Sequence, residues 1–363
     1  MNNNNTLLIT TSPKAQHESE MKVYFTNGYD KHIEGGVTYV NKVFQVLNKI
    51  GKGSFWSVRK VRRNVVNANG DVVDNDYYVI KKGVLNKHSF VMGMALISDS
   101  GDDDNDDRIG IKEYKILKTI CNKNIARLYE CIVDYNKNKV CLIMDYCDLG
   151  SLMLIEYDEQ TKEDKFVYND KVMNYLYNEY NKQTHNTTNI HNINTTTDIT
   201  YNNKEHMRFL EWASSEIFKQ LLSALSYLHY TKLIAHLDIK PDNVLLKSNE
   251  TSFNTVVKLS DFSISRKFTN INTTADIIGG TYIYEAPEIK TGNEASPFKC
   301  DVYSLGRTIY SFLFQTINFD NYEHNLSLIT TLPLQTALTL SMKTDPNERA
   351  DVQALQTLFH TTS

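Results

Sequence analysis

The chain has 363 residues, with 39 lysines and arginines against 43 aspartates and glutamates, so its formal net charge is -4. That length suits one large domain or two lobes, and a weakly acidic chain is not built around nucleic-acid phosphates. No run approaches the roughly 18 apolar residues of a membrane span, and five cysteines without a Cys-x-x-Cys pair argue against a disulfide framework or a zinc site. Reduced thiols in a cytoplasmic or nuclear compartment are the expectation.

Residues 1–42 read as a polar N-terminal extension, with one strand around Val23–Phe25. Residues 43–61 read as two strands around a glycine-bearing turn, and Tyr77–Lys82 as a third. An acidic stretch at 98–108 (SDSGDDDNDDR) reads as a disordered insert. Carboxylates at 102, 104 and 106 with Glu113 imitate a calcium loop, but Asp107 stands where the turn requires glycine. Residues 110–120 are helical in pattern, and 140–146 (VCLIMDY) read as a buried strand. Residues 181–203 are Asn or Thr at 14 of 23 positions and read as a second disordered insert. From Glu205 to Leu233, apolar residues recur at Leu210, Ala213, Ile217, Leu221, Leu225 and Leu228, the spacing of a helix packed along one face. The chain is helical again after Pro333. Strands first and helices later predict an α+β chain of two lobes.

Four segments carry chemistry. In Gly51-Lys52-Gly53-Ser54-Phe55-Trp56-Ser57-Val58, glycines between two strands let backbone N–H groups approach phosphate oxygens, although a Gly pair also marks ordinary hairpins. Tyr78-Val79-Ile80-Lys81 is a strand ending in a lysine, and most such lysines are merely solvated. His236-Leu237-Asp238-Ile239-Lys240-Pro241-Asp242-Asn243 sets a carboxylate, an ammonium and an amide within six residues. Asp238 can accept a hydroxyl proton, Lys240 can neutralise a moving phosphoryl group, and Asn243 can hold a metal. Lys258-Leu259-Ser260-Asp261-Phe262-Ser263 adds a carboxylate just after a strand. A capped turn explains either of the last two segments alone.

The order of these segments, followed by Ala286-Pro287-Glu288, resembles the eukaryotic protein kinase family over about residues 43–360. The resemblance implies a bilobal fold, with a small β-rich N-lobe at 43–146 and a larger helical C-lobe at 147–360. It implies ATP and Mg²⁺, and a protein substrate. Lys81 matches the lysine that holds the α- and β-phosphates, and Glu113 the helix glutamate that pairs with it. Asp238 matches the catalytic aspartate, Lys240 its transition-state partner, and Asn243 and Asp261 the metal ligands. Ile50, Gly51, Gly53, Val58, Val79 and Leu245 match positions around the nucleotide. Met144 matches the gatekeeper, and Asp145-Tyr146-Cys147 the hinge whose backbone bonds adenine. Glu288 and Arg349 match a structural ion pair, and Asp301 the aspartate that braces the catalytic loop.

Asp-x-Lys-Pro-x-Asn with a later Gly280-Thr281 resembles serine/threonine kinases, in which Lys240 and Thr281 bond near the catalytic carboxylate. Several stretches, among them Asn124-Ile125-Ala126-Arg127-Leu128-Tyr129-Glu130, look like calcium/calmodulin-dependent protein kinase kinases, and imply an upstream kinase in a signalling cascade. No calmodulin-binding helix follows the last predicted element, which argues against calmodulin control. Three residues depart from the pattern. Trp56 replaces the third loop glycine, with a bulk that lowers loop flexibility. Ser263 replaces the glycine after Asp261-Phe262, restricting backbone torsion there. Leu237 replaces the arginine that receives an activation-segment phosphate, so activity is expected not to need phosphorylation at Thr269, Thr273 or Thr274. The same departures admit a pseudokinase, a scaffold or allosteric partner that keeps the fold without the chemistry.

Overall fold

The computed structural model describes residues 24–52, 56–63, 65–66, 72–74, 76–84, 109–158, 163–184, 204–249, 255–292 and 294–360. The chain divides into two compact units, and the main break follows Tyr146, where the sequence divides N-lobe from C-lobe. Residues 122–126 belong with the second unit.

The first unit contains β1 (Tyr24–Asn27), β2 (Lys31–Glu34), β3 (Val37–Val40), β4 (Phe44–Lys52), β5 (Ser57–Arg63), β6 (Val65–Val66), β7 (Val72–Asp74), β8 (Tyr77–Val84), α1 (Ile109–Leu117), β9 (Leu128–Asp134) and β10 (Lys139–Asp145). Eight strands form one sheet in the order β1-β9-β10-β8-β5-β4-β3-β2, while β6 and β7 pair separately. β1 runs parallel to β9, with Tyr24 opposite Glu130, and the other neighbours are antiparallel. The two edge strands are joined by residues 28–30 alone, which reach at most about 14 Å. Seven strand spacings in a flat sheet would separate those edges by about 34 Å. The sheet is therefore curled until its edges nearly meet. Inside the curl, Tyr29, Val40 and Phe44 pack with Val61, Tyr78, Ile80, Ile132, Cys141 and Ile143, all buried. The Tyr29 backbone is tied at both ends: its N–H donates to Asp134 (3.2 Å), and its carbonyl accepts from Lys137 Nζ (2.6 Å).

Residues 24–40, assigned above to a polar extension, thus supply three strands of the sheet. Each of these strands is four residues long, too short for a strong period to mark it; β2 and β3 pair locally, while β1 is ordered by long-range pairing with β9.

The second unit contains β11 (Gly150–Ser151), β12 (Met153–Asp158), β13 (Glu163–Tyr168), α2 (Asp170–Thr184), α3 (Lys204–Ser226), a π-turn at Tyr227–Lys232, β14 (Ile234–Ala235), β15 (Val244–Lys247), β16 (Val256–Leu259), β17 (Arg266–Lys267), α4 (Pro287–Lys290), α5 (Pro297–Phe314), α6 (Tyr322–Ser327), α7 (Leu332–Ser341) and α8 (Val352–His360). All six apolar positions read as a stripe between Leu210 and Leu228 are buried. α3 packs against α5 and α8, and α5 against α7. α5 is buried along its length except at Lys299 and Arg307, which marks it as the central helix of this unit. Its proline sits at the first turn, where a missing N–H costs nothing. Buried Glu211 of α3 accepts the backbone N–H and hydroxyl of both Thr330 and Thr331, which satisfies donors at the start of α7.

α2 continues to Thr184, so residues 181–184 are helical rather than part of an insert. The rest of that insert and the whole acidic stretch 98–108 lie outside the described residues. All five cysteines are free thiols. Among the described residues no helix is long and apolar enough to cross a membrane.

Candidate active site

In the first unit, strand register decides which side chains meet. Gly51 lies opposite Val58, Val58 opposite Lys81, and Val79 opposite Met144. Ile50 stands at the exposed end of β4, with 45% of its surface open. Gly53 lies outside the described residues. Lys81 Nζ donates to both carboxylate oxygens of Glu113, at 2.7 and 2.8 Å. Glu113 is fully buried and Lys81 nearly so, which makes each charge the other's compensation. The Trp56 indole lies against the same ammonium, its centroid 4.6 Å from Nζ. At the end of β10, Asp145 accepts from the Arg127 N–H and the Tyr129 hydroxyl, both at 3.0 Å. Burial, with Asp145 beside it, raises the Tyr129 hydroxyl far above its ordinary value, so it remains a donor.

In the second unit, Ile234–Ala235 forms one strand and Val244–Lys247 another, and Asp238, Lys240 and Asn243 stand on the segment between them. Asp238 is surrounded by donors. Its Oδ1 accepts from Thr281 Oγ1 at 2.7 Å, and its Oδ2 lies 2.9 Å from Lys240 Nζ and 3.0 Å from Asn243 Nδ2. Lys240 Nζ also donates to Thr281 Oγ1 at 2.7 Å, closing the circuit. Thr281 reaches this position because Gly280 comes close: a Cβ there would stand 3.0 Å from the Leu237 carbonyl, and its φ is +125°. Burial raises the Asp242 carboxyl from its ordinary value, with Lys240 opposing.

One buried carboxylate fixes the loop backbone. Asp301 accepts the N–H groups of His236 and Leu237, each at 2.7 Å, and lies 2.9 Å from His229 Nε2. The Glu288–Arg349 pair is bidentate, at 2.6 and 3.0 Å, and Arg349 is 1% exposed. Its other N–H groups bond backbone carbonyls of residues 299, 343 and 344.

Asn243 directs its amide nitrogen at Asp238, and its Oδ1 has no hydrogen-bond partner among the described residues. Asp261 accepts the Ser263 N–H at 3.3 Å. An amide oxygen and a carboxylate are hard donors, and among the described residues no three His, Cys, Asp or Glu side chains converge. That set fits Mg²⁺, which takes one or two protein carboxylates and completes its shell with phosphates and water. Of the remaining nucleotide positions, Cys147 is buried and Leu245 half-buried in the second unit.

The three departures have distinct structural outcomes. Ser263 carries no strain: the left-handed torsion in this loop belongs to Asp261, at φ 61°, so position 263 does not demand glycine here. Leu237 also adopts a left-handed torsion, φ 69°, and is buried with Phe268, Ile277, Ala286 and Phe298. Trp56 is buried rather than raised on a loop tip. Sequence reading missed two supporting contacts: Ser265 Oγ donates to the His236 carbonyl, and His236 Nε2 lies 3.0 Å from the Ser260 carbonyl. Neither is visible as a pattern, because each uses a backbone acceptor.

A family model described as "Protein kinase domain" matches residues 165–359. A calcium/calmodulin-dependent protein kinase kinase of Caenorhabditis elegans is 28% identical over 216 residues, 58% of this chain and 30% of the relative. The ovarian-specific serine/threonine-protein kinase Lok of Drosophila melanogaster is 34% identical over 284 residues, 78% of this chain and 45% of the relative. The probable serine/threonine-protein kinase fhkE of Dictyostelium discoideum is 26% identical over 316 residues, 86% of this chain and 34% of the relative. The chain spans less than half the length of each. Two units of the expected composition, a carboxylate ringed by Lys, Thr and Asn, and a family model matching more than half the sequence agree: the chain belongs to the protein kinase family.

Proposed function

We propose that the chain is an active serine/threonine protein kinase that moves the γ-phosphate of ATP to a Ser or Thr hydroxyl of a protein. The observation that carries this reading is the circuit around Asp238. A carboxylate with both oxygens engaged is held in one orientation, which is what a group that aligns an attacking hydroxyl requires. Asp238 accepts the hydroxyl proton, and the Lys240 ammonium beside it offsets negative charge as the phosphoryl group shifts. Lys81, fixed by Glu113, neutralises the α- and β-phosphates. Asn243 and Asp261 would hold Mg²⁺, which when bound supplies charge neutralisation at the phosphates. The Lys240–Thr281 contact supports an aliphatic hydroxyl acceptor, since that pairing accompanies serine/threonine specificity in the resemblance. Likeness to a relative named as a kinase kinase supports an acceptor that is itself a kinase.

The test is Mg-ATP phosphotransfer to a generic protein acceptor, with the phosphoamino acids identified after acid hydrolysis. Wild type is expected to give phosphoserine or phosphothreonine, and Asp238→Asn and Asp261→Ala to lose at least about 100-fold. Equal background in all three favours the scaffold reading, and phosphotyrosine alone overturns the substrate class.

A further inference from the structure

Trp56 occupies the position of a loop glycine, yet only 8% of its surface is exposed. Its ring lies against Gly83 of β8 and Gly110 of α1. A Cβ on Gly83 would stand 2.8 Å from two ring carbons, and one on Gly110 would stand 3.0 Å from another. The bulk added at 56 thus fills room left by two residues without side chains. The indole N–H has no partner among the described residues, so packing and the neighbouring cation hold the ring rather than a hydrogen bond. That cation is Lys81, whose Nζ is 4.6 Å from the ring centroid while it donates twice to Glu113.

Resting on the kinase reading above, we propose that Trp56 is a positioning residue for the phosphate-binding lysine. Glu113 on one side and the indole face on another fix the ammonium of a long, rotamer-rich side chain. The ion pair is thereby assembled by the unit's own packing. Trp56 is then a second brace on the group that meets the nucleotide, and its presence marks no loss of function.

Two variants and one spectroscopic signal test this. Trp56→Phe keeps an aromatic face over Lys81, whereas Trp56→Leu keeps apolar bulk without one. With melting curves used to verify that both fold, Trp56→Leu is expected to lower kcat/KM for Mg-ATP about tenfold while the acceptor KM stays unchanged. Trp56→Phe is expected to retain most of the wild-type value. The sequence has two tryptophans, so Trp212→Phe leaves Trp56 as the single reporter. An ammonium against an excited indole quenches it by proton donation, so adding Lys81→Met should brighten its emission. Equal kinetics for the Phe and Leu variants, or unchanged emission on Lys81→Met, overturns the proposal. If wild type transfers no phosphate while the emission rises, the kinase reading falls and takes the catalytic role with it, leaving a purely structural contact. If wild type is active and the emission is flat, only the role of Trp56 falls.

Discussion

His236 is wholly buried, and its ring nitrogens have different duties: Nδ1 accepts the Asp238 N–H at 3.3 Å, and Nε2 faces the Ser260 carbonyl at 3.0 Å. A carbonyl can only accept, so the proton belongs on Nε2 and the ring is neutral. Burial lowers its pKa below the ordinary 6.5, despite the opposing pull of Asp301, Asp238 and Asp261. A base depressed in the folded state gives stability above its unfolded pKa, and that stability is lost as pH falls. Protonation would set an N–H against the Asp238 N–H and loosen the loop that carries Asp238. The melting temperature should therefore drop between about pH 7 and pH 5, and His236→Gln should flatten that slope while starting lower. Asp242 and Glu285, both raised by burial, act in the opposite sense, so the comparison with the Gln variant isolates the histidine. An identical slope in both proteins would remove His236 as the cause. Asp238, Lys240, Asn243 and Asp261 stood out in the sequence because their chemistry and spacing form a pattern, and the structure brings the first three together. His236 did not, since a buried neutral imidazole differs from any other histidine only in what surrounds it.

Among the elements, the segment from Arg266 to Ala295 carries the clearest regulatory consequence. It lies on the loop that carries Asp238 through apolar contacts, with Phe268, Ile277 and Ala295 in one buried cluster with Leu237. A phosphate needs a cationic receiver, and at position 237 a leucine replaces it. Replacing Thr269, Thr273 and Thr274 with alanine should leave phosphotransfer by purified protein at the wild-type level. Ile277→Asp, which buries a charge in the cluster, should cut it about tenfold or more. Collapse of the triple variant would show that a phosphate does order the segment. Helices were readable from period: the stripe from Leu210 to Leu225 is buried in α3, which packs against α5 and α8 and also meets β16 and α2. The C-terminal boundary of α2 was not, since Asn181, Lys182, Gln183 and Thr184 are polar residues that continue a helix begun by Val172, Met173 and Leu176.

For the whole molecule, the N-terminal strands matter most, and they were the least legible. A boundary at residue 43 follows from the kinase motifs, yet it would cut away β1 to β3 and expose the cluster of Tyr78, Ile80, Cys141 and Ile143. A chain beginning at residue 43 is expected to melt well below the full chain, or to aggregate on its new sheet edges. An unchanged melting temperature would show that these strands are ornamental. Their pairing also sets an order of events. Tyr24 lies opposite Glu130, so the first strand made must wait for one of the last of its sheet. At ribosomal speeds of about 5–20 residues per second, it stays unpaired for roughly 5–20 seconds. The closing of the curl is thus a late step of biogenesis, with high contact order, and chaperone demand should concentrate in that interval.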